Sequence, residues 1–405
     1  MQPDELLGVH RHGKIALCSR VSLKTRRELS LVYTPGVAEP CRLIRERKEL
    51  AYEYTAKGNL VAVVSDGSAV LGLGDVGPEA ALPVMEAKAV LFKKLAGVDA
   101  FPICLATRDP DRIVEAVKVL EPTFGGINLE DIAAPACFRI EERLKRELSI
   151  PVFHDDQHGT AVVVVAGLLN ALRLVGKQPP ALRVVVNGAG AAGLAVARLL
   201  LRLGVRDLIV CDRRGVLHAE RREGMNPYKL AVAALTNPRG LRGGLGEALA
   251  DADVFIGLSG PDVITAADVA RMAPRAIVFA LANPDPEIHP AEALAGGAAV
   301  VATGRSDYPN QINNVLAFPG IFRGVLDVRA REINDEMKLA AARAIAGVVK
   351  PEALRPDHIV PEPLDPEVVP AVAAAVAGAA WATGVARMYV DPATVARRVR
   401  ELTAA

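Results

Sequence analysis

A glycine-rich turn between an apolar strand and an apolar helix constrains this chain more than any other feature. Leu182-Arg183-Val184-Val185-Val186 reads as the strand, Asn187-Gly188-Ala189-Gly190-Ala191-Ala192-Gly193 as the loop, and Leu194 to Leu203 as the helix. In that setting the G-x-G-x-x-G allows a tight turn, close backbone approach to a pyrophosphate and close helix–strand packing, with the helix N-terminus facing the anion. A second strand, Leu208 to Cys211, ends at Asp212, where an acid holds the hydroxyls of an adenosine ribose. Gly188, Gly190, Ala191, Ala192, Gly193 and Asp212 are the expected dinucleotide contacts. Asp212 slightly favours NAD over NADP because it repels a 2′-phosphate, and Arg213 and Arg214 weaken that preference.

The neighbouring patterns extend this unit into a doubly wound sheet. Val254 to Leu258, Ala276 to Leu281 and Ala299 to Ala302 read as strands ending in polar or glycine turns, where open α/β sheets place ligand contacts. Lys177-Gln178-Pro179-Pro180 marks a boundary before them. Upstream, strands at Asn59 to Val64 and Ala100 to Leu105 alternate with helices at Leu82 to Leu95 and Asp111 to Leu120, which predicts a second parallel sheet. A chain of 405 residues, 51% of them hydrophobic, has the length and apolar content for roughly two to three domains of about 150 residues.

The densest chemistry lies in Phe153-His154-Asp155-Asp156-Gln157-His158-Gly159-Thr160-Ala161, ahead of a helix expected from Gly159 to Leu174. Adjacent carboxylates against a core element cost several kcal/mol unless a metal, a base or another cation neutralises them. The histidines have the i, i+4 spacing of H-E-x-x-H, but the acid beside the first is Asp and Gly159-Thr160 follows at once, which argues against zinc hydrolysis.

Other candidates carry two readings each. Lys88 falls among Val84, Leu91 and Phe92, so it either snorkels to solvent or is a desolvated lysine of lowered pKa. Glu130 and Asp131 stand between a strand and the helix Ala136 to Glu147, as capping acids or as chemistry. Tyr33 precedes a Pro35-Gly36 turn, packed or presented on a loop of restricted shape. Asn310, Gln311, Asn313 and Asn314 supply either turn and capping bonds or neutral amides for a carboxylate.

Composition excludes several classes. A net charge of +1 gives no field for nucleic acid or an anionic membrane. Five scattered cysteines without CxxC spacing argue against a disulfide framework or a thiolate metal site and fit a reducing cytoplasm. The start Met1-Gln2-Pro3 lacks a signal-peptide pattern. Val368 to Ala386 is uncharged, but its Ala, Gly and Thr content reads as a buried or subunit-interface helix, which favours a homodimer or dimer of dimers.

Several segments together resemble the malic enzyme family, particularly its short bacterial form. They are Val32-Tyr33-Thr34-Pro35-Gly36-Val37-Ala38, Val70-Leu71-Gly72-Leu73-Gly74-Asp75-Val76-Gly77, Glu86-Ala87-Lys88-Ala89, Asn128-Leu129-Glu130-Asp131, the Phe153 to Ala161 stretch and Asn313-Asn314-Val315. The resemblance implies oxidative decarboxylation of L-malate to pyruvate and CO2 with NAD or NADP and Mg2+ or Mn2+. It assigns Glu130, Asp131 and Asp156 as metal ligands, Lys88 as general base, Tyr33 as general acid and Asp155 as the partner of Lys88. Asn283 and Asn314 would hold the substrate, with Asn283 also near the nucleotide. For Lys88 to act near neutrality, its pKa must fall by about three units, roughly 4 kcal/mol.

The expected architecture is therefore α/β: a smaller substrate and metal domain over residues 1–157, a Rossmann-type nucleotide domain over 158–390, and a C-terminal helix over 391–405. One departure stands out. Longer family members carry a carboxylate-binding arginine near a segment that here reads Gly67-Ser68-Ala69-Val70-Leu71. The rival readings are a metal-dependent oxaloacetate decarboxylase, a different NAD-dependent dehydrogenase, and a non-enzymatic nucleotide sensor on the same fold.

Overall fold

The computed structural model describes residues 3–70 and 72–404; Met1, Gln2, Ala405 and Leu71 of the glycine-rich motif lie outside the described residues. Two parallel sheets organise the chain. The first has the order β2-β1-β3-β4, from β1 (Leu60–Ser65), β2 (Asp99–Cys104), β3 (Gly126–Leu129) and β4 (Val152–His154), all parallel. The second has the order β10-β9-β8-β5-β6-β7, from β5 (Arg183–Asn187), β6 (Asp207–Asp212), β7 (Gly215–Val216), β8 (Val254–Gly257), β9 (Ile277–Ala280) and β10 (Val300–Thr303). Only the short β7 runs antiparallel, against β6. This is the doubly wound α/β architecture expected from the sequence.

The strand residues explain the layering. Val61, Ala62, Val63 and Val64 of β1 have no exposed surface, as continuous apolar runs require when helices cover both faces. The Pro78–Ala96 helix starts four residues earlier than apolar periodicity suggests. Pro78 supplies a pre-set first turn after Gly77, and the helix ends with Gly97 left-handed at φ 63°.

The Asp155–Val175 helix also begins early, at Asp155 rather than Gly159. Its first turn therefore carries both acids of the central cluster at the positive end of the helix dipole. Residues 157 and 158, where the sequence reading divides the chain, lie in that turn. This helix is the one among the described residues long and apolar enough to cross a membrane, and 72% of its apolar window is buried inside the protein.

The late helices return to the first sheet. Every residue of the Phe318–Asp327 helix is buried, and the rings of Phe318 and Phe322 pack edge-on at 4.8 and 5.2 Å from Phe92 of the Pro78–Ala96 helix. Gly320 and Gly324 let the uncharged Val368–Ala382 helix approach closely; an added Cβ at either would stand 2.6 Å from Val372 or from the Ala373 carbonyl. The Pro392–Thr403 helix closes against the Val368–Ala382 and Pro78–Ala96 helices. The N-terminal arm differs: residues 4–49, Leu6 aside, contain no buried side chain, and Leu17, Leu23, Leu31 and Tyr33 stand exposed.

Candidate active site

The site forms where the topology of the first sheet reverses. β1 runs between β2 and β3, so the carboxyl ends of these strands form a topological switch point, the position at which open α/β sheets bind ligands. Glu130 and Asp131 follow β3 and Asp155 and Asp156 follow β4, which brings all four acids to this edge. Glu130, Asp131 and Asp156 each offer a carboxylate oxygen, and these oxygens lie within 4.8 Å of one another. Asp131 has a left-handed backbone, φ 53°, and its N–H donates to Asp156 Oδ2 at 2.8 Å. Capping does not explain the first pair: the following helix starts at Ala136 with Pro135 before it and no side-chain cap.

Lys88 is buried, so it does not snorkel. Its ammonium donates to Asp155, which has no exposed surface, lies 3.1 Å from Glu130 Oε1, and sits 4.4 Å from the centre of the Phe318 ring. The expectation of a lowered pKa needs correction here. Burial alone would depress it, but Asp155 and Glu130 outweigh burial and hold Lys88 above the ordinary lysine value. Burial pushes the Glu130 carboxyl well above its usual range; Lys88 opposes this, while Asp156, Asp155 and Asp131 add to it. Three crowded, largely buried hard-oxygen donors fit Mg2+ or Mn2+, whose charge would relieve that repulsion.

The two histidines of the cluster have different neighbours. His158 Nε2 bonds Glu141 Oε2 at 3.0 Å, and His154 lies buried with Nδ1 3.7 Å from Asp156 Oδ2. Glu141 was not flagged by the sequence reading. An acid on the buried face of the Ala136–Glu147 helix, among Cys137, Ile140 and Leu144, was the signal that could have found it. Beside it, a cavity of about 210 Å3 is lined by His158, Lys145, Arg198, Asp335 and Lys338.

Burial, with Lys145 adding repulsion, lowers Lys338 from 10.5 to about 8. A folded-state value below the unfolded one means that the unfolded chain holds more protons between pH 8 and 10.5, so this group adds stability as pH rises through that window and costs stability below it. Lys338→Met is expected to gain on the order of 2 kcal/mol at neutral pH and to flatten that slope. Urea unfolding of both proteins at pH 7 and in the alkaline window checks this; an unchanged slope would refute it.

The nucleotide cleft occupies the switch point of the second sheet, where β5 neighbours both β6 and β8. It encloses about 1040 Å3 and is lined by Asn187, Gly188, Gly190, Asp212, Lys229 and Ser259, among others. The glycines divide the work. A Cβ on Gly188 would stand 2.3 Å from the Leu258 carbonyl, and one on Gly193 would strike the Gly188 carbonyl at 1.7 Å, whereas Gly190 faces open space into which a phosphate can come. Ala191 and Ala192 begin the Ala191–Leu203 helix, half-buried.

Asp212 is not a lone acid. Its carboxylate accepts Arg221 Nη2 at 2.7 and 2.9 Å, Lys229 Nζ at 2.7 Å and the Arg214 N–H at 2.9 Å. Burial raises its pKa, but Lys229 and Arg221 outweigh this and hold it below the usual carboxylate range. The repulsion expected to disfavour a 2′-phosphate is thus offset by two cations, which adjacent-residue reading could not see.

Asn314 lies against the same carboxylate edge: a Cβ on Gly159 would come 3.1 Å from the Asn314 Cβ and 1.9 Å from Asp155 Oδ1. Asn310 and Asn313 do turn and capping work, Asn310 bonding the Val301 and Pro356 carbonyls and the Ile359 N–H, Asn313 the Val315 N–H. Asn283 follows β9, exposed, and its carbonyl faces Gly72 of the first unit's glycine-rich loop, 2.8 Å from an added Cβ. Tyr33 ends the Arg26–Val32 helix with 66% of its surface exposed, and its side chain makes no hydrogen bond or ring contact among the described residues.

A doubly wound dinucleotide unit joined by one helix to a carboxylate-and-lysine edge defines a nucleotide-dependent oxidoreductase whose three clustered carboxylates have the chemistry to hold a hard cation. Comparison with known proteins narrows that class. Residues 12–145 match the model of the malic enzyme N-terminal domain and residues 157–381 that of the malic enzyme NAD binding domain. The chain is 60% identical to the bifunctional malic/malolactic enzyme of Bacillus subtilis, covering 99% of this chain and 98% of that protein. It is 58% identical to the NAD-dependent malic enzyme of Geobacillus stearothermophilus, over 95% and 80% of the two chains. The crystal structure of malic enzyme from Pyrococcus horikoshii superposes with a TM-score of 0.96 at 52% identity, covering 99% of this chain and 95% of that one. The chain belongs to the malic enzyme family.

Proposed function

We propose that this protein oxidises L-malate with NAD or NADP, decarboxylates the enzyme-bound oxaloacetate and releases pyruvate and CO2. The observation that carries this reading is the buried Lys88–Asp155 pair set against Glu130 at the edge that gathers Asp131 and Asp156. In this reading residues 1–157 hold substrate and metal, 158–390 the nucleotide, and 391–405 the closing helix, in a cytoplasmic enzyme whose five cysteines are free thiols among the described residues.

Lys88 takes the C2 hydroxyl proton while hydride leaves C2, and Asp155 holds the amine in place. Glu130, Asp131 and Asp156 would hold a Mg2+ or Mn2+ ion, which would draw carboxylate charge away from Lys88 and steady the C2 oxygen. The nicotinamide, carried by the Gly188–Gly193 turn, would accept the hydride. Carbon dioxide then departs from the β-keto acid, and Tyr33 protonates C3 of the enol. Asn283 and Asn314 orient the substrate carboxylates without adding charge.

Tyr33 sits on an arm with no buried side chain among its described residues in the single chain. We read the arm as packing on a second copy in a homodimer or dimer of dimers, so that Tyr33 completes a site there. On the nucleotide side, neutralised Asp212 supports use of both NAD and NADP. Lys229→Met is expected to lower kcat/KM for NADP about tenfold, one charge-assisted hydrogen bond's worth, and for NAD less than threefold. Equal losses for the two would contradict this.

The relative named a malic/malolactic enzyme favours a second reading of the same site, in which reduced nicotinamide stays bound and pyruvate leaves as lactate. Product analysis of malate incubated with Mn2+ and either nucleotide separates the readings. Pyruvate with reduced nucleotide supports the first, lactate without it the second, and neither product would sink both. Carbon dioxide from oxaloacetate alone, without malate oxidation, would favour the decarboxylase.

A further inference from the structure

Behind the turn that carries Asp155 and Asp156 lies a carboxylate that no role in the reaction requires. Glu141 comes from the Ala136–Glu147 helix and is 4% exposed. Its Oε1 accepts the His154 backbone N–H at 3.2 Å, and its Oε2 accepts the Gln157 amide at 3.2 Å and His158 Nε2 at 3.0 Å. Lys145, one turn further along the same helix, lies 2.7 Å from Oε1. Glu141 therefore binds the residue before Asp155 and the two after Asp156.

We propose that Glu141 is the positioning residue for this turn, fixing where Asp156 points at the metal and where Asp155 meets Lys88. The geometry supports this over a purely structural ion pair. An acid needed only to neutralise Lys145 has no need of three contacts on residues 154–158. The other side-chain anchors of the turn among the described residues are one bond each, Lys88 to Asp155 and the Asp131 N–H to Asp156, and His154 supplies no side-chain cap at the start of the helix. Partners that orient ligands from behind change metal affinity about 10- to 100-fold when removed.

This inference rests on the reading of Asp156 as a metal ligand, and one experiment separates the two. Mn2+ binding to full-length protein is measured by the loss of the free-ion electron paramagnetic resonance signal, with nucleotide binding by fluorescence as the control. The variants are Glu141→Ala, Glu141→Gln and Asp156→Asn. Glu141→Ala is expected to weaken Mn2+ about 10- to 100-fold and to leave nucleotide binding within about twofold, because the nucleotide cleft is on the other sheet. Glu141→Gln keeps one carbonyl oxygen for the His154 N–H and is expected to fall between Glu141→Ala and the parent; if Glu141→Ala does not fold, this variant carries the test. Unchanged Mn2+ affinity in a folded Glu141 variant, with Asp156→Asn impaired, overturns the positioning role alone. A parallel loss of Mn2+ and nucleotide binding also overturns it, since that is general damage. Unchanged Mn2+ affinity in Asp156→Asn overturns the metal reading and the inference with it.

Discussion

Asp156→Asn is expected to cut malate turnover about a thousandfold, the equivalent of roughly 4 kcal/mol of lost stabilisation of negative charge at the reacting oxygen. Asp156 is the most exposed of the three carboxylates, with a third of its side chain accessible, and its removal leaves no buried charge unpaired. The variant should therefore fold and bind nucleotide. Its defect should appear as a raised Mn2+ requirement together with a lower maximal rate. Steady-state rates at several Mn2+ concentrations check this, and a parental rate at parental Mn2+ would remove Asp156 from the site.

Lys88→Ala should be as severe for a different reason. Loss of a positioned acid–base group costs about 10²- to 10⁴-fold, and here it also strands Asp155 and Glu130 without their cation. Nucleotide binding should survive, since the glycine turn belongs to the other sheet. Tyr33→Phe should also be inactive in pyruvate formation while retaining malate-dependent hydride transfer in part. If the exposed arm completes a second copy, mixing the two dead variants under conditions that exchange subunits restores one intact site in each mixed dimer, about a quarter of parental activity from random pairing. No recovery on exchange, with mixed dimers demonstrated, would place Tyr33 and Lys88 in the same chain.

Much of this site was legible because its residues follow directly on strands. Glu130 and Asp131 after β3 and Asp156 after β4 stand out as candidates because they sit where an apolar run stops and polar residues begin, while their grouping as one ligand set comes from the family resemblance and not from their spacing. The glycine turn was legible because two close backbone contacts and one open approach, each calling for glycine, fall within six residues. What could not be read depends on partners distant in sequence. Arg221 and Lys229 neutralise Asp212 from beyond a turn, and Glu141 reaches the 154–158 turn from another helix. Lys88 shows the same limit: local pattern allowed either a solvent-facing or a desolvated lysine, and only the fold reveals two carboxylates that hold its proton on. Helix starts at Pro78 and Asp155 were missed because the first turns, Pro78-Glu79-Ala80-Ala81 and Asp155-Asp156-Gln157-His158, hold no large apolar residue, and a search for periodicity begins only at the second.

The central claim is that one metal-dependent site both oxidises malate and releases CO2. Chelator-stripped protein titrated with Mn2+, with nicotinamide reduction and CO2 release from malate followed together, tests it most directly. The account predicts that both appear together, in equal amounts while pyruvate is the product, and saturate at one Mn2+ per chain. Nicotinamide reduction at the full rate without metal, or CO2 release from malate without nucleotide, would contradict it.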